Sequence, residues 1–214
     1  MIALIDYGAG NLTSVKKALT ALGAEFMVPA TPEACAGAAG LIVPGVGHFS
    51  ATTALAGPWH ASIGAAVQAG TPLLGICVGM QWLYEGSEEA PDVPGLGVLA
   101  GRCRLLRGDA AQRMKIPHVG WNTLDVTVRL KPDATYRSRL LAGIAPGSHV
   151  YFTHSYAGPI TTDCVASTTH AEPFAAAVER GNVFGVQFHP EKSGDAGLQI
   201  LKNYLDYCAQ AGRC

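Results

Sequence analysis

The amino-acid sequence predicts an α/β fold with a mostly parallel central sheet, helices on both faces and an antiparallel extension. In the first half, short apolar runs alternate with segments whose apolar residues recur at helical spacing, a rhythm typical of a parallel sheet. The second half is a succession of strand patterns separated by turns. Because no linker divides the halves, residues 1–214 are interpreted as a single domain of flavodoxin-like type.

Each element of the first half has its own signal. Four apolar runs predict strands, at residues 2–5, 25–28, 41–43 and 73–76. Asn11 is a suitable cap for a helix after the first strand, and Gly23 ends that helix. Its apolar face comprises Leu12, Val15, Leu19 and Leu22. A second helix is predicted over residues 62–69, where Gly70 stops it.

The second half is dominated by strand signals. They predict strands at residues 102–106, 124–130, 149–153, 164–168, 174–179 and 183–188. Gly181 and Asn182 predict a tight hairpin turn between the last two. The chain closes with a helix whose apolar face comprises Leu201, Tyr204, Leu205 and Cys208.

Composition excludes several classes of function. The formal net charge is −1 and charged residues make up 14%, so neither nucleic acid nor an anionic membrane is an expected partner. No run approaches the roughly 18 apolar residues of a membrane helix, and the first residues lack the pattern of a signal peptide. Six scattered cysteines without a C-x-x-C pair predict no metal site, and they favour free thiols in the cytoplasm. No pattern indicates a cofactor.

The stretch GICVG at 75–79 places Cys77 in a predicted strand-to-helix turn. Its glycines permit close backbone approach, and the start of a helix favours a thiolate. The turn therefore predicts a nucleophile, although a buried structural cysteine has the same local pattern.

The stretch FHPE supplies a base and its orienting group. His189 and Glu191 are two residues apart in a segment predicted to be extended, so their side chains point the same way. Pro190 keeps His189 out of the helical conformation. The carboxylate distinguishes His189 from the other six histidines. Cysteine, histidine and glutamate together match the logic of a nucleophile, a base and a group that orients the base.

The stretch PGVG at 44–47 completes the predicted chemistry. Backbone N–H groups of Gly45, Val46 and Gly47, with that of Val78 after the nucleophile, can stabilise an oxyanion. A plain loop has the same pattern. The three turns lie at the carboxyl ends of predicted parallel strands, where active sites form in such sheets. Together they predict acyl transfer, without identifying the carbonyl that is attacked.

At this point the chain resembles a known family. GICVGMQ, PGVGHF and FGVQFHPEKS are similar to stretches of the class I, triad-type glutamine amidotransferases. Within that family, the glutaminase subunits of imidazole glycerol phosphate synthase are the most similar group. The stretches that carry this finer resemblance are DYGAGNLTSV, KIPHVGWN, FTHSYA and the Lys-Ser after HPE. The resemblance covers nearly the whole chain.

The resemblance implies specific roles. Cys77, His189 and Glu191 match the catalytic triad, which hydrolyses glutamine to glutamate and ammonia. Gly45, Val46 and Gly47 match the oxyanion strand. The matching substrate-binding positions are Gln81, Glu89, His154, Ser155 and Tyr156. Glu89 has a second interpretation as a solvated loop carboxylate.

The resemblance also implies a protein partner. It is a (β/α)₈-barrel cyclase that forms a heterodimer with the glutaminase and uses the ammonia to make imidazole glycerol phosphate and AICAR in histidine biosynthesis. The matching interface positions are Asn11, Trp121 and Lys192. Core packing for Trp121 and a solvated charge for Lys192 are the alternatives.

Three other functions stay open on the residues alone. The chain could donate ammonia to a different synthase, such as one for anthranilate, guanylate or pyridoxal phosphate. It could be a self-sufficient hydrolase of γ-glutamyl or peptide bonds, since the fold and triad permit it. It could be a non-catalytic binding module, against which the complete set of three residues argues.

Overall fold

The computed structural model describes residues 1–108, 115–126 and 137–211. Within them the strands, in chain order, are β1 (Ile2–Leu4), β2 (Phe26–Met27), β3 (Gly40–Gly45), β4 (Leu73–Cys77), β5 (Gly86–Ser87), β6 (Ala90–Pro94), β7 (Arg102–Leu105), β8 (His118–Thr123), β9 (His149–His154), β10 (Tyr156–Ala157), β11 (Cys164–His170), β12 (Glu172–Arg180) and β13 (Val183–Val186). The α-helices are α1 (Leu12–Ala21), α2 (Pro58–Gln68), α3 (Val78–Leu83) and α4 (Gly194–Ala211). Short 3₁₀ helices span Pro32–Cys35, Phe49–Leu55 and Pro190–Lys192.

The main sheet confirms the predicted α/β class. Its strand order is β11-β12-β13-β4-β3-β1-β2. The run from β13 to β2 is parallel, and its order is the 2-1-3-4-5 arrangement of flavodoxin-like sheets. Strands β11 and β12 extend it in antiparallel fashion. Every residue of β4 is buried, as expected for a central strand covered on both faces.

Most of the predicted elements are present, with shifted ends. Asn11 caps α1, since its side chain accepts a hydrogen bond from the backbone N–H of Ser14 at 3.4 Å. Gly181 and Asn182 form the turn between β12 and β13, where Arg180 pairs with Val183. Helix α2 begins at Pro58 rather than at residue 62, because a proline suits the first turn of a helix.

The second half departs from the prediction in two respects. Strands β7 and β10 belong to a separate four-stranded sheet with β5 and β6, and β8 and β9 form a two-stranded sheet. The strand predicted at 124–130 is wrong at its start, because β8 ends at Thr123, and residues 127–130 lie outside the described residues. Strand β8 was not predicted because its burial is the reverse of what the hydrophobic pattern indicates. It buries His118 and exposes the apolar side chains of Val119 and Trp121.

The carboxyl ends of three parallel strands bring the predicted turns together. Gly45 at the end of β3 is in register with Cys77 at the end of β4. On the other side of β4, Val186 pairs with Ile76, so the chain after β13 reaches the same edge of the sheet. Strand β9 joins this edge, because the backbone N–H of His189 donates to the carbonyl of Tyr151 at 2.9 Å. In the part of the chain that is described, no helix has the length and apolar character needed to span a membrane.

Candidate active site

Cys77 occupies a sharp turn between β4 and α3, as predicted. Its backbone has φ 54° and ψ −111°, a conformation that L-residues rarely adopt. Such a conformation costs on the order of 1–3 kcal/mol and persists only where the surroundings enforce it. The Sγ atom lies 3.8 Å from Nε2 of Gln187 and 3.9 Å from the carbonyl oxygen of Thr153. The thiol is therefore fixed in a strained turn with polar neighbours.

The glycines around Cys77 serve packing. A Cβ atom on Gly79 would overlap the carbonyl oxygen of Val43, in the neighbouring strand β3. A Cβ atom on Gly45 would overlap the hydroxyl of Tyr7 and would also come within 2.8 Å of the Cβ atom of Val78, the first residue of α3. Both glycines therefore let α3 lie directly against β3, and this close approach holds the turn at Cys77 in place.

His189 and Glu191 form the predicted pair. Nδ1 of His189 lies 2.9 Å from Oε1 of Glu191, and both side chains are almost completely buried. The prediction of an extended segment is only partly correct, because Pro190–Lys192 forms a 3₁₀ turn. Proline suits the first position of such a turn. The turn brings the carboxylate back to the imidazole.

Cys77 and Glu191 together set the charge of the imidazole. Burial lowers the pKa of His189, but interactions with Cys77 and Glu191 outweigh burial and raise this pKa to about 9. Nε2 of His189 has no hydrogen-bond partner within the described residues. With its pKa raised, the imidazole is a cation at neutral pH, placed beside the nucleophile predicted at Cys77.

The predicted oxyanion residues divide into two pairs. Gly47 and Val78 line the cavity that contains Cys77. Gly45 and Val46 instead line a crevice beside His189 and Glu191 that is too small for a water molecule. Gly47 and Val78 are therefore the two that share the cavity of Cys77.

All five predicted substrate-binding residues line the cavity of Cys77, namely Gln81, Glu89, His154, Ser155 and Tyr156. Nε2 of Gln81 donates to the carbonyl of Tyr156 at 2.8 Å and to Oε1 of Gln187 at 3.2 Å. Oε2 of Glu89 accepts a hydrogen bond of 2.7 Å from the backbone N–H of Phe49. Glu89 is half-buried, and this hydrogen bond ties it to the 3₁₀ helix that follows the PGVG loop.

The three predicted interface residues lie around the same edge of the sheet. The side chain of Trp121 is 57% exposed, which excludes the interpretation as core packing. Its ring contacts that of Tyr151 edge to face, and Nζ of the exposed Lys192 lies 5.8 Å from the Tyr151 ring centre. Asn11 lines the same narrow crevice as His189 and Glu191.

Two residues near the nucleophile were missed by sequence reasoning. Gln187 is completely buried and contacts both Cys77 and Gln81. The available signal was a glutamine inside a predicted apolar strand, two residues before His189, because a buried polar side chain requires a hydrogen-bond partner. The buried hydroxyl of Tyr7 has no hydrogen-bond partner within the described residues, and no local pattern indicated its position. Among the residues that the structure describes, no group of three or more His, Cys, Asp or Glu side chains is arranged to hold a metal ion.

Comparisons with known proteins identify the family. Residues 3–207 match the family model described as glutamine amidotransferase class-I. The chain belongs to this family, in the branch of proteins called imidazole glycerol phosphate synthase subunit HisH. The HisH of Natronomonas pharaonis is 45% identical, over 98% of this chain and 95% of that protein. The HisH of Geobacillus kaustophilus is 46% identical, over 99% of each.

Solved structures agree on the fold. A crystal structure of a glutamine amidotransferase superposes with a TM-score of 0.70, covering 100% of this chain and 99% of that one, at 20% identity. At this identity the likeness supports the fold alone. It is consistent with the flavodoxin-like strand order.

Proposed function

We propose that this chain is the glutaminase subunit of an imidazole glycerol phosphate synthase. It hydrolyses glutamine to glutamate and ammonia and delivers the ammonia to a cyclase partner in histidine biosynthesis. The observation that carries the proposal is the buried His189–Glu191 pair beside Cys77, in a chain that belongs to the HisH branch. Free buried thiols at the five described cysteines suit a reducing cytoplasm, where we place the reaction.

The proposed mechanism uses one nucleophile and one proton carrier. The Sγ atom of Cys77 forms a bond to the side-chain carbonyl carbon of glutamine, and the backbone N–H groups of Gly47 and Val78 stabilise the oxyanion. His189 gives a proton to the leaving nitrogen, the carbon–nitrogen bond breaks, and ammonia departs from a thioester. His189 then takes a proton from water, whose oxygen attacks the thioester, and glutamate leaves as the thiol is restored. Glu191 orients the imidazole throughout.

The partner docks, in this proposal, on the face that carries Trp121, Lys192 and Asn11. An exposed tryptophan is typical of a binding surface, because aromatic side chains are enriched among the residues that contribute most to binding energy. Asn11 lines a narrow crevice with His189 and Glu191, so a partner that contacts Asn11 is close to the catalytic pair. The (β/α)₈-barrel cyclase that this branch serves is the proposed occupant, in a heterodimer.

Stimulation by the partner tests this proposal. Glutamine hydrolysis is measured for the chain alone, then with a barrel cyclase, then with the cyclase and its nucleotide substrate. We expect slow hydrolysis alone and strong stimulation in the complete mixture, because the cyclase face adjoins the catalytic pair. Fast hydrolysis at a rate that the cyclase does not change would instead indicate a self-sufficient hydrolase. Stimulation by a different synthase, but not by the cyclase, would reassign the partner.

Removing the charge of Glu191 is expected to lower activity and to change its pH dependence. In Glu191→Gln, glutaminase kcat/KM should fall by about a hundredfold or more, since the imidazole loses its orienting carboxylate. The carboxylate also helps to raise the pKa of His189 to about 9, so its loss lowers that pKa. Activity that depends on the imidazolium disappears as pH rises through this pKa. The alkaline fall in kcat/KM should therefore begin at lower pH in the variant.

The matched control for this measurement is Glu25→Gln, the same change at an exposed carboxylate. Rates of both variants are measured with the cyclase and its nucleotide, from about pH 6 to pH 10. An unchanged alkaline limb in Glu191→Gln would remove Glu191 from the orienting role.

A further inference from the structure

Three imidazole rings lie together beside the glutamine cavity, and the proposed mechanism uses none of them. His118 comes from β8, His154 from β9 and His170 from β11. The rings of His118 and His170 are stacked with centres 4.1 Å apart, and those of His118 and His154 meet edge to face at 5.1 Å. His118 is 3% exposed and His154 is 6% exposed. Polar rings buried this deeply require hydrogen-bond partners.

The partners fix a single direction for the hydrogen bonds. Nδ1 of His154 lies 2.9 Å from the carbonyl oxygen of Tyr156, which only accepts, so this nitrogen carries the proton. Nε2 of His154 is then an acceptor, and it lies 3.1 Å from Nδ1 of His118, which must donate. Nε2 of His118 is in turn an acceptor, and Nδ2 of Asn122 donates to it at 3.2 Å. The chain runs from Asn122 through both rings to Tyr156.

This direction requires both rings to be neutral. A second proton on His154 would place two N–H groups face to face, and the same would happen between His118 and Asn122. Burial, with a smaller contribution from the stacked His170, lowers the pKa of His118 to about 4. Burial lowers the pKa of His154 to about 3 in spite of the Tyr156 carbonyl, with smaller contributions from His118, His170 and His189. The chain is therefore intact at neutral pH.

The far end of the chain lies in the cavity that holds the nucleophile. The carbonyl of Tyr156 accepts from His154 and also from Nε2 of Gln81. The same Gln81 nitrogen contacts Gln187, whose own amide nitrogen lies 3.8 Å from Sγ of Cys77. A displacement of His154 would thus be passed through Tyr156 to Gln81 in the cavity lining, and from Gln81 to Gln187 beside Cys77.

We propose that His118 is a positioning residue for glutamine binding. Its Nδ1–H holds the ring of His154, and this ring fixes the carbonyl of Tyr156 at the distance that Gln81 requires. His118 contacts neither the nucleophile nor the cavity, so it acts only through His154. The inference rests on the proposed glutaminase function and assigns to that site a residue from β8. The stretch KIPHVGWN thereby gains a role for its histidine.

Two replacements of His118 separate the hydrogen bond from the volume of the ring. In His118→Asn, the amide nitrogen takes the place of Nδ1 and can still donate to His154. In His118→Leu, a methyl group takes that place and the donor is lost. With the cyclase and its nucleotide present, we expect His118→Leu to raise KM for glutamine about tenfold with kcat within about twofold, since a buried acceptor loses its partner. We expect His118→Asn to recover most of this loss in affinity.

A third variant covers the case in which His118→Leu fails to fold. Asn122→Ala leaves both rings in place but frees the proton of His118 to move to Nε2, so KM for glutamine should rise about threefold. Ammonia-dependent synthesis by the cyclase should be unchanged in every variant.

The outcomes distinguish the two proposals. A purely structural role would lower the free energy of unfolding in the His118 variants and leave KM unchanged, which would overturn this inference. Equal increases in KM for His118→Asn and His118→Leu, or no increase for Asn122→Ala, would also overturn it. Absence of cyclase-stimulated hydrolysis in the unaltered chain would instead overturn the proposed function, and with it the role of His118.

Discussion

Cys77→Ser should abolish glutamine-dependent synthesis by the complex while ammonia-dependent synthesis continues at the normal rate. The hydroxyl of serine is a far weaker nucleophile than the sulfur of cysteine, and the raised pKa of His189 depends in part on Cys77. We expect the glutamine-dependent rate to fall by at least about a thousandfold. Added ammonia bypasses the proposed glutaminase reaction, so the cyclase should respond to it unchanged. The measurement is product formation from each nitrogen source in turn.

Cys164→Ser is the matched control for this substitution. Cys164 is buried, and its thiol donates to the carbonyl of Ala166 at 3.2 Å, a hydrogen bond that a serine hydroxyl can keep. Its glutamine-dependent rate should stay near that of the unaltered protein. Substantial glutamine-dependent synthesis by Cys77→Ser would remove Cys77 from the role of nucleophile.

Gly79→Ala should destabilise the whole domain. The added methyl group would overlap the carbonyl oxygen of Val43, which is part of the central strand β3 and cannot rotate away as a side chain would. Either α3 or β3 must shift, and both flank the turn at Cys77. We expect a loss of about 3 kcal/mol or more in the free energy of unfolding, at the upper end for overpacking. Urea unfolding monitored by circular dichroism measures it.

Gly64→Ala provides the control within the same protein. Gly64 lies in α2, and a Cβ atom there would meet nothing within 4 Å. This substitution should raise the free energy of unfolding by about 0.5–1 kcal/mol, because alanine favours a helix more than glycine does. If both alanine variants unfold at the same urea concentration as the unaltered protein, α3 does not depend on close contact with β3.

The elements that were predicted correctly share one property: their burial follows the hydrophobic pattern. Strand β4 is apolar throughout because it is buried on both faces, and α1 has a cap and an apolar stripe. Strand β8 broke this rule by turning His118 inward and Trp121 outward. On its buried side, His118 takes part in a hydrogen-bonded cluster, and on its exposed side Trp121 is proposed to contact a partner, so neither residue follows the pattern of core packing. Such contacts leave no periodic pattern in the sequence.

The site was predictable where chemistry demands particular residues in adjacent positions. Cys77 and its turn, and the pair His189 and Glu191, followed from local motifs, although the 3₁₀ turn at Pro190 did not. Gln187, directly after β13, and Tyr7, beyond the end of β1, reach the site through tertiary contacts. Their positions depend on packing between elements, which a local reading of the chain does not contain.

The positive φ angle of Cys77 places the proposed catalytic role of this residue in conflict with an unstrained backbone. Glycine adopts this conformation freely, so Cys77→Gly would relieve the backbone strain, although it would also remove a buried side chain. A search for relaxed backbones that ignored activity would accordingly favour glycine at the very residue on which we propose that the reaction depends. Backbone strain alone gives no reason to keep a side chain at this one position.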